Sequence, residues 1–212
     1  MRKFGLAAAL LTLVLGTPAV ASVDIDPEDD FLGSFTGTPT GDLDVTRFSV
    51  VFNSTSDTFL LEATFAGAID PSTPGFYVIG VDTGAGAIAP FGGIGQPNVT
   101  FDQVIVVNED GTTNLGTIMA IIAGDMFSLT VPWELLPTTG AAPGDYGFNI
   151  WPREGLTVTG NDQISDFAPD NALLRSVPEP ATWLMMLLGF GLTGAALRFR
   201  RAKSLERRPA TT

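Results

Sequence analysis

Carboxylates are the one abundant reactive group in this chain, which carries 23 Asp and Glu against 11 Lys and Arg and contains neither His nor Cys. Between Ser22 and Val177 the only basic residues are Arg47, Arg153 and Arg175, facing 21 acidic ones, for a net charge of −18. A Ser-His-Asp triad, a thiolate nucleophile and a His/Cys zinc centre each require a residue type the chain lacks. The two lysines, Lys3 and Lys203, lie in the terminal segments, which removes Schiff-base chemistry from the body. Paired carboxylates are sufficient for glycoside hydrolysis, but among so many acidic residues some pair is always at hand. The reading is therefore of a protein that is not an enzyme. A hard cation such as calcium, which takes several oxygen ligands, suits these side chains better.

Two acidic clusters qualify for that chemistry. The first is Asp24, Asp26, Glu28, Asp29 and Asp30; the second is Asn161, Asp162, Asp166, Asp170 and Asn171, from which Asp162, Asp166 and Asp170 are the expected calcium ligands. Neither fits an EF-hand loop, since the glycine due after Asp24-x-Asp26-x-Glu28 is Asp29 and the twelfth position is Phe35. The first cluster also reads as a solvated leader, and Asp170 as a cap on a short segment from 171 to 175. Sugar binding needs exposed aromatic platforms beside polar groups. Tyr77, Trp133, Tyr146 and Trp151 all alternate like core residues and read first as packing; Trp151 with Arg153, at a strand end, is the candidate pair for a ligand if any of them reaches solvent. A domain this acidic repels nucleic acid, so that class of partner is excluded.

Short strands must carry these groups. Runs of Val, Ile, Phe and Thr separated by Gly, Pro, Asn and Asp predict strands at 45–52, 59–65, 76–82, 99–107, 115–122, 126–131 and 146–151. Phe59, Leu61, Ala63 and Phe65 fall on one face, and Asn53–Asp57 turns the first two strands into a hairpin. Asn108–Gly111 is a second turn, and Trp133–Leu136 one helical turn between Pro132 and Pro137. The fold class expected for residues 22–176 is all-β, an antiparallel β-sandwich of jelly-roll-like type, with a closed barrel as the competitor. The glycine-rich stretch 83–97 reads as a mobile loop, either a gate or only a long connection. With no cysteine, the fold rests on its core alone.

Both ends carry export signals. Arg2 and Lys3 precede an apolar run from Phe4 to Leu15 and then Ala19-Val20-Ala21, so residues 1–21 read as a signal peptide helix that signal peptidase cuts after Ala21. At the other end Val177-Pro178-Glu179-Pro180 is followed by an uncharged run, 181–197, and then by Arg198, Arg200, Arg201 and Lys203. The two prolines keep the stem extended, and ~17 helical residues at ~1.5 Å each reach about 25 Å, the short end of a membrane span. The basic end holds its side of this single transmembrane helix, and the tail 204–212, in the cytoplasm.

Val177-Pro178-Glu179-Pro180-Ala181-Thr182-Trp183, the apolar run and the basic end together resemble the PEP-CTERM sorting domain, over 177–203. The resemblance implies an exosortase-like membrane enzyme as partner, acting near Pro178-Glu179-Pro180. It also implies a Gram-negative, exopolysaccharide-producing host in which the protein crosses the inner membrane, is anchored there, and then passes to the cell surface or matrix. The tail departs from the family by running on to Thr212. Phe76–Asp82, Val131-Pro132-Trp133 and Gly147–Arg153 are in addition similar to DOMON-like and family-nine carbohydrate-binding-like sandwiches. The function expected is a surface or matrix structural and interaction protein, with a calcium-dependent carbohydrate-binding module for exopolysaccharide as the alternative.

Overall fold

The computed structural model describes residues 21–72, 74–85 and 89–175; the expectations for Ala19, the sorting segment with Val177 to Pro180, the helix 181–197, Arg198, Arg200, Arg201 and the tail lie outside these residues. No helix among the described residues is long and apolar enough to cross a membrane. What they form is β-structure, in two antiparallel sheets.

The first sheet runs β1 (Ala21–Ile25), β2 (Val45–Asn53), β3 (Thr58–Phe65), β7 (Met126–Pro132) and β6 (Ile121–Ala123). The second runs β5 (Gln103–Asn108), β4 (Gly75–Asp82), β8 (Gly147–Glu154) and β9 (Leu174–Arg175). The β2–β3 hairpin is the expected one: Phe52 pairs with Phe59 and Asn53 with Thr58, while Asn53 Oδ1 accepts the Thr55 and Ser56 amides at 2.9 and 3.2 Å. Such an Asx turn supplies the reversal locally, and Asp57 takes the left-handed conformation that completes it.

Alternation dictates the interior. Phe59, Leu61, Ala63 and Phe65 of β3 are all buried, as period two requires. They share one core with Phe48 and Val50 of β2, Phe127 and Leu129 of β7, and Tyr77, Ile79, Phe148 and Ile150 from the other sheet. Rings bridge the two sheets: Phe65 lies 4.5 Å from Tyr77 and Phe59 5.1 Å from Phe148, centroid to centroid. Buried aromatic pairs at such spacing add about 0.5–1.5 kcal/mol each beyond their area.

β4 and β8 break the alternation, being buried on both faces almost throughout. The reason is a second core, in which Phe76, Val78 and Trp151 meet Phe91 from the glycine-rich stretch, Val99 just beyond it, and Ile164 and Phe167 from the segment before β9. Phe91 sets its ring edge-on at 5.0 Å to both Trp151 and Phe167. The stretch is anchored at its start too, because Asp102 accepts from the Thr83 amide and hydroxyl and from Thr139 Oγ1. Within this stretch, read from glycine content as a mobile loop, Phe91 and Ile94 pack onto the second core and form a partial cover, while most of its other described residues are exposed.

Three further expectations are corrected. Residues 115–120 are irregular, leaving only Ile121–Ala123 as strand. The strand expected from Val99 starts at Gln103, because Val99 turns into the second core. Ala21, read as the end of the signal peptide helix, and the residues after it, where Asp24 begins the cluster read as a solvated leader, form a strand paired with β2 from Ala21 opposite Val51 to Ile25 opposite Arg47.

Phe91→Ala should lower stability by about 3–5 kcal/mol, the range for emptying an aromatic site in a core, as measured by urea unfolding. A change within ~0.5 kcal/mol, the size expected at a solvated loop position, would show that the cover does not pack.

Candidate functional site

The two acidic clusters, more than a hundred residues apart in sequence, meet in space. β1 delivers Asp26, whose amide continues the ladder to the Thr46 carbonyl at 3.1 Å. A turn at Glu28 and Asp29, with Asp29 in the left-handed region, then brings Asp30 back toward the sheet. The Asp29 amide donates to Asp44 Oδ2 at 2.8 Å, so Asp44, one residue ahead of β2, holds the turn in place.

From the C-terminal side, residues 164–168 follow β8 through bridges at Arg153–Ile164 and Ile150–Ala168. This places Asp166 at the start of β2, where its two oxygens accept the Val45 amide at 2.9 Å and the Phe167 amide at 2.6 Å. The buried Asn149 of β8 donates from Nδ2 to the carbonyls of Pro169 and Ala172, at 2.6 and 3.0 Å, which brackets Asp170. Asp170 Oδ1 accepts from Gln96 Nε2 at 3.1 Å and caps no helix.

Two carboxylate triads result. One oxygen each from Asp26, Asp30 and Asp170 lie within 4.8 Å of one another, and so do oxygens of Asp30, Asp44 and Asp166. Asp30 belongs to both. Asp26, Asp44 and Asp166 are only 8, 1 and 2% exposed. Asp26 Oδ2, Asp30 Oδ1 and Asp44 Oδ1 are buried without a hydrogen-bond partner.

Electrostatics follow from that packing. Burial, reinforced by Asp166, Asp30, Asp170 and Asp24, pushes Asp26 up to about 9. Asp166 is pushed up to about 7, mainly by burial and against the pull of the Val45 amide. Asp24, Asp30 and Asp44 are raised as well, each chiefly by burial. Among the described residues, every charged group acting on these five is another carboxylate.

The residues singled out from sequence are divided by the fold. Asp166 and Asp170 fall into different triads, and Asp162 into neither: it is exposed, accepts from Thr36 Oγ1 at 3.4 Å, and favours the charged form of Arg153. Trp151 is 2% exposed and Arg153 3%, so the packing reading holds for the indole and neither side chain offers a solvent-facing platform at this strand end. Trp151 lies over Gly80, the strand neighbour whose missing side chain makes room for the indole, and the cover closes its other side. Arg153 donates to the Gly160 carbonyl and to Gln163 Oε1, and burial lowers its pKa. Tyr77 and Tyr146 are fully buried and Trp133 is half-buried. Asp44, missed in the sequence, carries one signal there, the buried β2 pattern that starts right after it.

A further buried carboxylate stands apart. Glu109, beyond β5, packs over the Cα of Gly75 with Oε1 unpartnered, and burial together with Asp42 and Asp70 pushes it up to about 7.

These features define an acidic two-sheet domain whose last strand leads into a C-terminal segment of separate character. That segment, residues 176–201, matches the family described as the PEP-CTERM protein-sorting motif, so the chain is a PEP-CTERM domain-containing protein. The motif marks an exported, membrane-anchored protein sorted by an exosortase. Neither the curated proteins nor the solved structures gave a match, and the DOMON-like resemblance gains nothing from them.

Glu109 yields a pH prediction with a definite sign. Its folded pKa is raised above the ordinary 4.5, so its stabilising contribution is complete below that value and is lost as pH rises through about 7. Glu109→Gln should therefore match the native chain in Tm near pH 4.5 and exceed it near pH 8. Equal Tm differences at both ends would refute this.

Proposed function

We propose that the protein is a cell-surface or extracellular-matrix structural and interaction protein, delivered by an exosortase-like system acting on Val177-Pro178-Glu179-Pro180 and without catalytic activity of its own. The observation that carries the reading is the PEP-CTERM motif at residues 176–201. It supports a route in which the domain is secreted ahead of the motif, the apolar run 181–197 holds it in the membrane, and Arg198, Arg200 and Arg201 retain the far end in the cytoplasm.

The body suits that destination. An excess of negative charge keeps a secreted domain soluble and apart from anionic polymers and lipid. Its carboxylates are committed to architecture wherever their partners are visible: Asp102 tethers the cover, Asp166 the start of β2, and Asp82 pairs with Arg175 at 3.3 Å. Signal-peptide cleavage after Ala21 would leave Ser22–Ile25 of β1 in register with β2. Export processing and the fold are thus compatible at that end.

Mass spectrometry of surface material from the native host should give Ser22 as the first residue and a C-terminus near Pro178. Replacing Pro178, Glu179 and Pro180 together by Ala should leave full-length protein in the membrane fraction and deplete the surface pool at least tenfold. Surface material intact to Thr212 would sink the sorting assignment.

A further inference from the structure

The oxygens of the Asp26–Asp30–Asp170 triad have the spacing of a first coordination shell. Calcium takes oxygen ligands at about 2.3–2.6 Å, so ligands around one ion lie no more than about 5 Å apart. Asp26, Asp30 and Asp170 each supply an oxygen within 4.8 Å of the others. Acidic residues gathered on a surface would mean little, but Asp26 is more than nine-tenths buried and its Oδ2 has no hydrogen-bond partner. Asp30 is only partly buried, but its Oδ1 is likewise out of contact with water and without a partner. Taking carboxylates out of water without a counter-charge costs several kcal/mol per ion. Folded proteins leave few buried polar atoms unpaired.

We propose that Asp26, Asp30 and Asp170 bind a calcium ion that ties the domain's first segment to the segment entering its last strand. Asp44 and Asp166, gathered around Asp30 on the inner side, deepen the negative field there. The exposed Asp170 leaves a path for the ion, and water completes its shell. Calcium is favoured over magnesium because the ligands come from three separate backbone positions, a loose arrangement that an octahedral ion with short bonds accepts poorly.

The location gives the ion a task. Asp26 follows β1, and Asp170 precedes β9, which ends at Arg175 immediately before the sorting motif. An ion held between them pins the mature N-terminus to the base of the sorting segment. Extracellular calcium modules bind with Kd of about 10⁻⁴–10⁻³ M, so such a site fills outside the cell and stays vacant in the cytosol.

The test uses the full chain, purified in detergent and stripped with EDTA, at pH 7.5. Equilibrium dialysis against radioactive calcium should show about one ion bound, and about 5 mM CaCl2 should raise Tm by roughly 3–9 °C. Magnesium at equal concentration should give less than half that shift. Asp26→Asn and Asp30→Asn should each weaken calcium binding at least tenfold, whereas Asp162→Asn leaves it unchanged. Limited proteolysis of the unsubstituted chain provides a readout independent of how the variants fold, since calcium should protect the bonds from 26 to 30 and EDTA expose them. No bound calcium together with an unchanged Tm overturns the proposal, as does undiminished binding by a folded Asp26→Asn chain.

Discussion

Carboxylates have been brought together, several of them out of water, where the beginning and the end of this domain meet, and that constraint shapes much around it. Asp26, Asp30, Asp44, Asp166 and Asp170 converge there, and among the described residues the charged groups acting on the first four are all carboxylates. Such an arrangement opposes folding by itself, through desolvation and mutual repulsion. The two cores must supply the surplus. The backbone amides of Asp29, Val45 and Phe167 offset part of the repulsion, each donating to a carboxylate of the group. Amide donors of this kind are charge-assisted and roughly twice as strong as neutral hydrogen bonds. They do not reach Asp26 Oδ2, Asp30 Oδ1 or Asp44 Oδ1, where the neutralisation is incomplete.

The second core explains how the C-terminal arm of the cluster is held. Residues 164–170 have little regular structure, yet Ile164 and Phe167 are buried beside Trp151, and Ala168 exchanges both backbone hydrogen bonds with Ile150. Phe91 closes the same pocket of rings from the other side. The aromatic cover and the carboxylates are thus two faces of one segment. Residues that looked like a platform for ligand are instead the anchor that aims Asp166 and Asp170.

Much of the first sheet was legible in the sequence because period-two burial writes itself directly into residue type. Phe59, Leu61, Ala63 and Phe65 alternate in sequence and in space, and Asn53 announces its own turn. β1 was illegible for the same physical reason reversed. It lies at a sheet edge, its burial never becomes complete, and Asp24 and Asp26 sit among Val23 and Ile25 like any solvated leader. The cover escaped because glycine content reports backbone freedom and says nothing about Phe91 and Ile94, the large side chains that pack. The carboxylate junction required knowing which distant segments pair, and neither local pattern nor charge count carries that. Both clusters were visible separately; their meeting is a property of the topology.

Export gives the junction its sense. A chain that is threaded through a membrane before it folds must complete its long-range contacts on the far side, and those between its two ends form last in sequence order. β1 pairs with β2 locally, whereas Asp26 and Asp170 are joined only when β9 has been delivered to β8, beside which it lies. With the proposed cation, an interaction that is unfavourable alone becomes favourable, and the final closure becomes conditional on the surroundings. A hydrophobic contact at the same place would close wherever the chain collapsed. If the proposed ion binds, placing the carboxylates next to the entrance of the sorting segment couples completion of the fold to the compartment in which sorting takes place.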